Sequence, residues 1–157
     1  MINILHLRDT DRICGPGKTI IETALAATPG AFTHKIGLFM LDREGHNLYQ
    51  DAAVKRGIEV VPIRSAHQFD PRIVWTLIRA IKDHDIHLVH AHDYKSELLT
   101  WAVSRVLRIP IMTTVHGWIW NHARYKVYWK AAQTVLPRFD KVVAVSGQTR
   151  DAVLACG

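Results

Sequence analysis

Three short stretches of this sequence gather residue types that can do chemistry. His90-Ala91-His92-Asp93 sets two imidazoles two positions apart and follows them with a carboxylate. His116-Gly117-Trp118 puts another imidazole directly before a glycine, and Gly15-Pro16-Gly17-Lys18-Thr19 joins glycines to a cation. In an extended segment a spacing of two puts His90 and His92 on one face, which suits a pair of metal ligands. The metallohydrolase pattern His-x-His-x-Asp-His, however, needs a residue between His92 and the acid and a further histidine, where this chain has Asp93 and Tyr94. With no third and fourth ligand in view, the expectation is no metal and no other cofactor. His90 then reads as a hydrogen-bonded, partly buried strand residue, and His92 and Asp93 as groups that bind a hydroxyl or orient a loop. A glycine directly after His116 permits a tight turn and a close ligand approach, so His116 is read as functional. Glycines leading into a helix leave backbone N–H groups and the helix dipole facing an anion, which makes Gly15, Gly17 and Lys18 candidate ligand contacts. Gly17-Lys18-Thr19 is also the tail of a nucleotide-triphosphate P-loop, but that motif wants a glycine where Arg12 stands.

These residues need a scaffold, and the rest of the sequence supplies its pattern. Short apolar runs alternate with amphipathic segments, the signature of a parallel sheet covered by helices on both faces. The strands predicted are Ile2–Leu7, Thr33–Met40, Ile58–Ile63, Ile86–Ala91, Ile111–His116 and Lys141–Val145. The helices predicted are Lys18–Thr28, His46–Arg56, Pro71–Asp83, Ser96–Leu107, His122–Leu136 and Gln148–Ala155. Pro29-Gly30, Gly57, Pro71 and Pro110 fall where these elements begin or end. In the third helix Ile73, Leu77, Ile78 and Ile81 form one apolar stripe. The fold class is therefore α/β, a doubly wound parallel sheet of Rossmann type, in which ligands bind beyond the carboxyl ends of the strands. The motifs above all sit at such ends.

A chain of 157 residues with 48% apolar composition suits one domain, 1–157, with one core. No uninterrupted apolar stretch reaches membrane-spanning length, and the first residues lack the basic start of a secretory signal, so a cytoplasmic protein is expected. Cys14 and Cys156 are far apart and fit neither a disulfide framework nor a zinc knuckle. A formal net charge of +6 favours acidic partners. Between Trp118 and Arg138, Trp118, Trp120, Tyr125, Tyr128 and Trp129 stand among Arg124, Lys126, Lys130 and Arg138 without a single Asp or Glu. That pattern fits peripheral contact with a membrane through 118–138, although Tyr125, Tyr128, Trp129, Ala132 and Leu136 share a helical face that also suits core packing. No nucleic-acid-binding module accompanies the charge.

Four segments in this order resemble the retaining glycosyltransferases of GT-B fold, in the family that includes mannosyl-, glucosyl- and phosphatidylinositol-type transferases. They are Ile2–Leu7 running into Gly15-Pro16-Gly17, Ile86–Asp93, Thr113–Trp118, and Phe139–Ser146. The resemblance covers essentially the whole chain. It implies the amino-terminal, acceptor-side half of a two-domain enzyme, whose carboxyl-terminal half would hold a nucleotide-sugar donor through a basic pair and a Glu-x7-Glu motif. None of that second half is in this sequence, so the chain is not expected to turn over alone. Carried over by position, Gly15 matches the family's first glycine beneath the diphosphate, and Pro16 replaces its second, removing one N–H. His116 matches the histidine that contacts the transferred sugar, and Ser146 the serine near the cleft. His92 and Asp93 would line the acceptor pocket. The implied activity is sugar transfer with retention to a glycan or lipid-linked acceptor in envelope or polysaccharide synthesis, without a metal. The reading from a different class is a non-catalytic module that binds a glycan or an anionic membrane, and a third is a metal hydrolase built on His90, His92 and His116.

Overall fold

The computed structural model describes residues 1–43, 45, 47–67, 70–117 and 130–155. Its strands are β1 (Ile2–Arg8), β2 (Phe32–Leu41), β3 (Val60–Ser65), β4 (Leu88–Ala91), β5 (Ile111–Val115) and β6 (Lys141–Ala144). Its helices are α1 (Gly15–Leu25), α2 (Leu48–Lys55), α3 (Ile73–Asp83), α4 (Tyr94–Leu107), α5 (residues 130–135, running into a 3-10 turn at Leu136–Arg138) and α6 (Gly147–Leu154). The strands form one six-stranded sheet in the order β3-β2-β1-β4-β5-β6. Every pair in it is parallel. Chain order reverses between β1 and β4, and this is the switch point at which such sheets open a crevice.

The alternation along each strand sends side chains to two faces. Leu5, Leu7, Val89 and Ala91 meet Leu77, Ile78 and Ile81 of α3 and Val103 of α4 in one cluster. Ile36, Leu38 and Met40 meet Ile20 and Ile21 of α1 and Tyr49 and Ala53 of α2 in the other. The predicted α3 stripe is buried throughout, with Leu77 fully enclosed. A leucine so placed holds about 2–5 kcal/mol against truncation to alanine.

Several boundaries differ from those predicted, each for a local reason. α1 begins at Gly15 rather than Lys18, because a proline at the first helical positions gives up an N–H that has no partner there anyway. The glycines are thus the first turn of α1 and not a loop before it. β3 starts at Val60 because the N–H of Ile58 returns to Ala53 O and closes the end of α2. β4 starts at Leu88 because Ile86 N–H bonds Ile81 O and closes α3. The predicted helix His122–Leu136 is described only from residue 130, so Trp118, Trp120, Tyr125, Tyr128 and Trp129 lie outside the described residues, as does Cys156. Ala132 and Leu136, from the same predicted face, are buried.

Candidate active site at the carboxyl edge of the sheet

The face of the sheet opposite α3 and α4 is apolar over most of β2 but carries imidazoles near the start of β2 and on β1 and β4. His6 on β1 lies directly across from His90 on β4. His92 and His116 stand one residue past the ends of β4 and β5, and His34 lies on β2. Four of these rings form a hydrogen-bonded chain across the sheet. His34 Nδ1 and His6 Nε2 are 2.8 Å apart, His6 Nδ1 and His92 Nε2 3.0 Å, and His92 Nδ1 and His116 Nε2 3.4 Å. A neutral imidazole has one donor and one acceptor nitrogen, so an unbroken chain requires all four rings to donate in the same direction. The tautomer of His116 is therefore tied to that of His34, on the far side of β1. His90 stands beside the chain, its centroid 4.0 Å from that of His92, and its Nε2 shares a hydrogen bond of 2.8 Å with Thr114 Oγ1.

Burial keeps these rings neutral. It holds His6 and His92 well below the usual imidazole range, with neighbouring imidazoles adding to the effect. His90 is brought down to about 4, first by burial and then by His116 and His34. His34 is lowered by burial, and His116 by burial and by the charge of Arg8. Arg8 ends β1 beside this group. Its Nη2 donates to Cys14 Sγ at 2.9 Å, while Nε and Nη1 are enclosed without a hydrogen-bond partner.

The set that a metal would choose also differs from the one the sequence suggested. Among the described residues, His6, His90 and His92, and not His116, have ring nitrogens within 4.8 Å of one another. In this arrangement both nitrogens of His6 are already engaged by His34 and His92. We therefore describe the group as a hydrogen-bonded chain.

The remaining predicted residues divide by role. Gly117 has φ +99°, a left-handed conformation that favours glycine and turns the chain sharply after His116. The N-cap of α1, Cys14, makes no side-chain cap bond, and the first turn carries no acid. Gly15 and Gly17 N–H groups thus stand where a helix lacks internal partners, Pro16 between them has none, and Lys18 is exposed beside them. Gly17 has a packing reason as well. A Cβ there would lie 2.8 Å from Tyr49 Cε2, and Tyr49 Oη donates to Gly17 O at 3.1 Å. Gly17→Ala is expected to destabilise the fold by about 1–3 kcal/mol through overpacking, read as a shift in the urea midpoint. An unchanged midpoint would show that the tyrosine moves aside freely.

Asp93 and Ser146 hold loops. Asp93 caps α4, accepting from Ser96 N–H at 2.9 Å, and its other oxygen accepts from Asp9 N–H at 2.8 Å. Ser146 caps α6, its Oγ accepting from Thr149 N–H at 3.1 Å. Ser146 lies just past the end of β6, which pairs directly with β5, so it is next along the carboxyl edge from His116.

The sequence pattern of Glycosyltransferase Family 4 matches residues 24–157. The chain belongs to that family. The match begins within α1, so β1 and the glycine turn lie outside it. No curated protein sequence matches the chain. Among solved structures, the family 4 domain is similar to Anabaena HepE in complex with UDP and glucose, with a TM-score of 0.79, 18% identity, and coverage of 100% of this chain and 42% of that one. It is similar to the lipopolysaccharide outer core galactosyltransferase WaaB, with a TM-score of 0.70, 15% identity, and coverage of 100% and 43%. It is also similar to UDP-GlcNAc 2-epimerase from Neisseria meningitidis bound to UDP-GlcNAc, with a TM-score of 0.57, 14% identity, and coverage of 98% and 49%. The family 4 domain thus spans less than half the length of these proteins, and its fold is that of one Rossmann-like half of a GT-B glycosyltransferase. The epimerase shows that this fold serves more than one reaction, so it is the family match that points to transfer. Among the described residues no helix is long and apolar enough to cross a membrane.

Sequence reasoning missed His6, His34 and Arg8. The signal for His6 and Arg8 was present, since polar residues at a spacing of two interrupt one face of an otherwise apolar strand. For His34 there was none, because only the register of β2 against β1 brings it near.

Proposed function

We propose that this chain, a single domain, is the acceptor-binding half of a retaining glycosyltransferase. It passes a sugar from a nucleotide-sugar donor to a glycan or lipid-linked acceptor in envelope or polysaccharide synthesis, working in the cytoplasm or at the inner membrane face. The donor is held by a second, carboxyl-terminal half, and this half alone is inactive. The observation that carries the reading is the family 4 match over residues 24–157 together with His116, whose ring is tethered at the carboxyl edge of the sheet.

With Nε2 of His116 engaged by His92, Nδ1 is the nitrogen left for a ligand. We cast His116 as an orienting donor that stabilises charge developing on the transferred group, and not as a nucleophile. The first turn of α1, with Lys18, offers N–H groups and positive charge to the departing nucleotide diphosphate. His92 orients His116, and Asp93 and Ser146 shape the loops that border the acceptor. This chemistry calls on no metal. Residues 118–138 provide the contact with a lipid-linked acceptor or its membrane.

The test is a transfer assay on the chain combined with its donor-binding half. Labelled sugar should appear on the acceptor only when both halves are present. Transfer by neither half nor the mixture, across uridine and guanosine diphosphate sugars, would favour a binding module. In that case co-sedimentation with anionic vesicles at low salt becomes the expected result.

A further inference from the structure

A second feature of the carboxyl edge lies on the opposite side of the sheet from His116. Arg64 and Ser65 end β3, Asp42 follows β2, and Arg72, Trp75, Thr76 and Arg79 come from the start and outer face of α3. Together they line an open groove of about 450 Å³. Two properties set it apart from an ordinary charged surface. The first is its charge. Three guanidinium groups face two carboxylates, and one of these, Asp70, is buried and already held by Arg72 through Nε at 2.9 Å and Nη2 at 2.8 Å. Among the described residues no carboxylate is ion-paired with Arg64 or Arg79. The second is Trp75. Its neighbours on α3 pack inward, whereas its indole is 63% exposed between Arg72 and Arg79.

A flat aromatic face flanked by arginines has a specific chemical complement. The apolar C–H face of a pyranose ring lies well on an indole, and planar guanidinium groups pair with carboxylate or phosphate oxygens in fixed geometry. We infer that this groove is a subsite for an acidic sugar, with Trp75 carrying the ring and Arg64 and Arg79 holding its carboxylate or phosphate. Asp42 accepts from a ring hydroxyl, and the Arg72–Asp70 pair, which also anchors the Ala66 N–H, fixes the wall of the groove. Net charge of +6 on the chain draws such a ligand in.

The inference rests on the acceptor-side reading and narrows it. Four strand spacings separate β3 from β5 in the sheet order, or about 19 Å at ordinary inter-strand distances. A sugar in the groove and a reacting unit at His116 therefore belong to one chain of several residues laid along the sheet edge. The acceptor is an acidic oligosaccharide, bound well away from its growing end.

Calorimetric titration of the whole chain with three tetrasaccharides tests this without catalysis. A tetragalacturonate and a phosphorylated oligomannoside carry the two candidate acids, and maltotetraose carries none. At least one acidic probe is expected to bind at least ten times more tightly than maltotetraose, and which one binds names the acid. R64Q/R79Q and, separately, Trp75→Ala should each weaken that probe about tenfold or more, and all three side chains are exposed enough to leave the fold intact. Equal binding of neutral and acidic probes would overturn the proposal, as would no binding of any probe, or loss in R64Q/R79Q with none in Trp75→Ala, which marks simple charge attraction. Sugar transfer by the assembled enzyme that R64Q/R79Q leaves untouched on an acidic acceptor would sink the subsite and leave the transferase reading standing.

Discussion

His116→Ala should lower kcat for sugar transfer by about 10²–10³-fold in the assembled enzyme, the loss that follows removal of one preorganised hydrogen-bond donor at a developing charge. The fold should survive the change. His116 is half-exposed, lies beyond the end of β5, and makes one hydrogen bond of 3.4 Å to His92. Its loss takes one long hydrogen bond from the buried His92 and opens no cavity in the apolar core, and the circular dichroism spectrum of the variant should match the wild type. His116→Gln, which keeps a donor of similar reach, should retain more activity than the alanine variant. A smaller, indirect loss is expected from His6→Phe, since that change cuts the chain of rings that orients His116 without touching the ligand. Full activity in His116→Ala would remove the role assigned to this residue.

The second large effect is on stability in acid. Each ring in the imidazole group has a folded pKa below its unfolded value of 6.5. Below 6.5 the unfolded chain therefore binds more protons than the native one, and stability falls as pH falls. For His90 the window runs from 6.5 down to about 4, which corresponds to about 3 kcal/mol. His6 and His92, more deeply buried, act in the same direction. Glu97 opposes them. Burial beneath β5 pushes it up to about 7, against the opposing effect of the 2.8 Å hydrogen bond it accepts from Thr113 Oγ1. A raised carboxyl contributes stability that is present below its unfolded value of 4.5 and is lost as pH rises through 7. The histidines outnumber it, so the net expectation is a drop of several kcal/mol in unfolding free energy between pH 7.5 and pH 5, on the scale of one tuned group or more. Urea titrations at the two pH values measure the drop. His90→Gln should shrink it, and Glu97→Gln should enlarge it by removing the opposing group. Equal stability at both pH values would show that the rings take up protons in the native state without cost.

Much of this could be read from the sequence because the fold repeats a simple grammar. Alternating apolar runs and the α3 stripe at Ile73, Leu77, Ile78 and Ile81 marked the sheet and the helices that cover it. His116-Gly117 was legible because only a glycine suits the turn that follows. What escaped was set by register. The pairing of His6 with His90, and the place of His34 beside His6, depend on how β1 slides against β2 and β4, and no spacing along the chain encodes that. The groove at Arg64, Trp75 and Arg79 escaped for the same reason, since it joins the end of one strand to the face of the next helix. Gly17 carried two meanings in sequence, ligand approach and close packing, and only the tyrosine above it reveals the second. Asp93 and Ser146, read as ligand contacts, also cap α4 and α6, and the sequence could not separate the two uses because helix N-caps and binding residues share the same side chains at the same strand ends.

The coding sequence downstream of the Gly157 codon tests the assignment of this chain as one half of a glycosyltransferase more directly than any property of the half itself. The expected result is an open frame continuing for about 150–200 residues, the size of one more domain, with a basic pair and a Glu-x7-Glu motif in it. A stop directly after Gly157, with no separately encoded donor-binding half, would contradict that assignment and leave a stand-alone binding module as the better account.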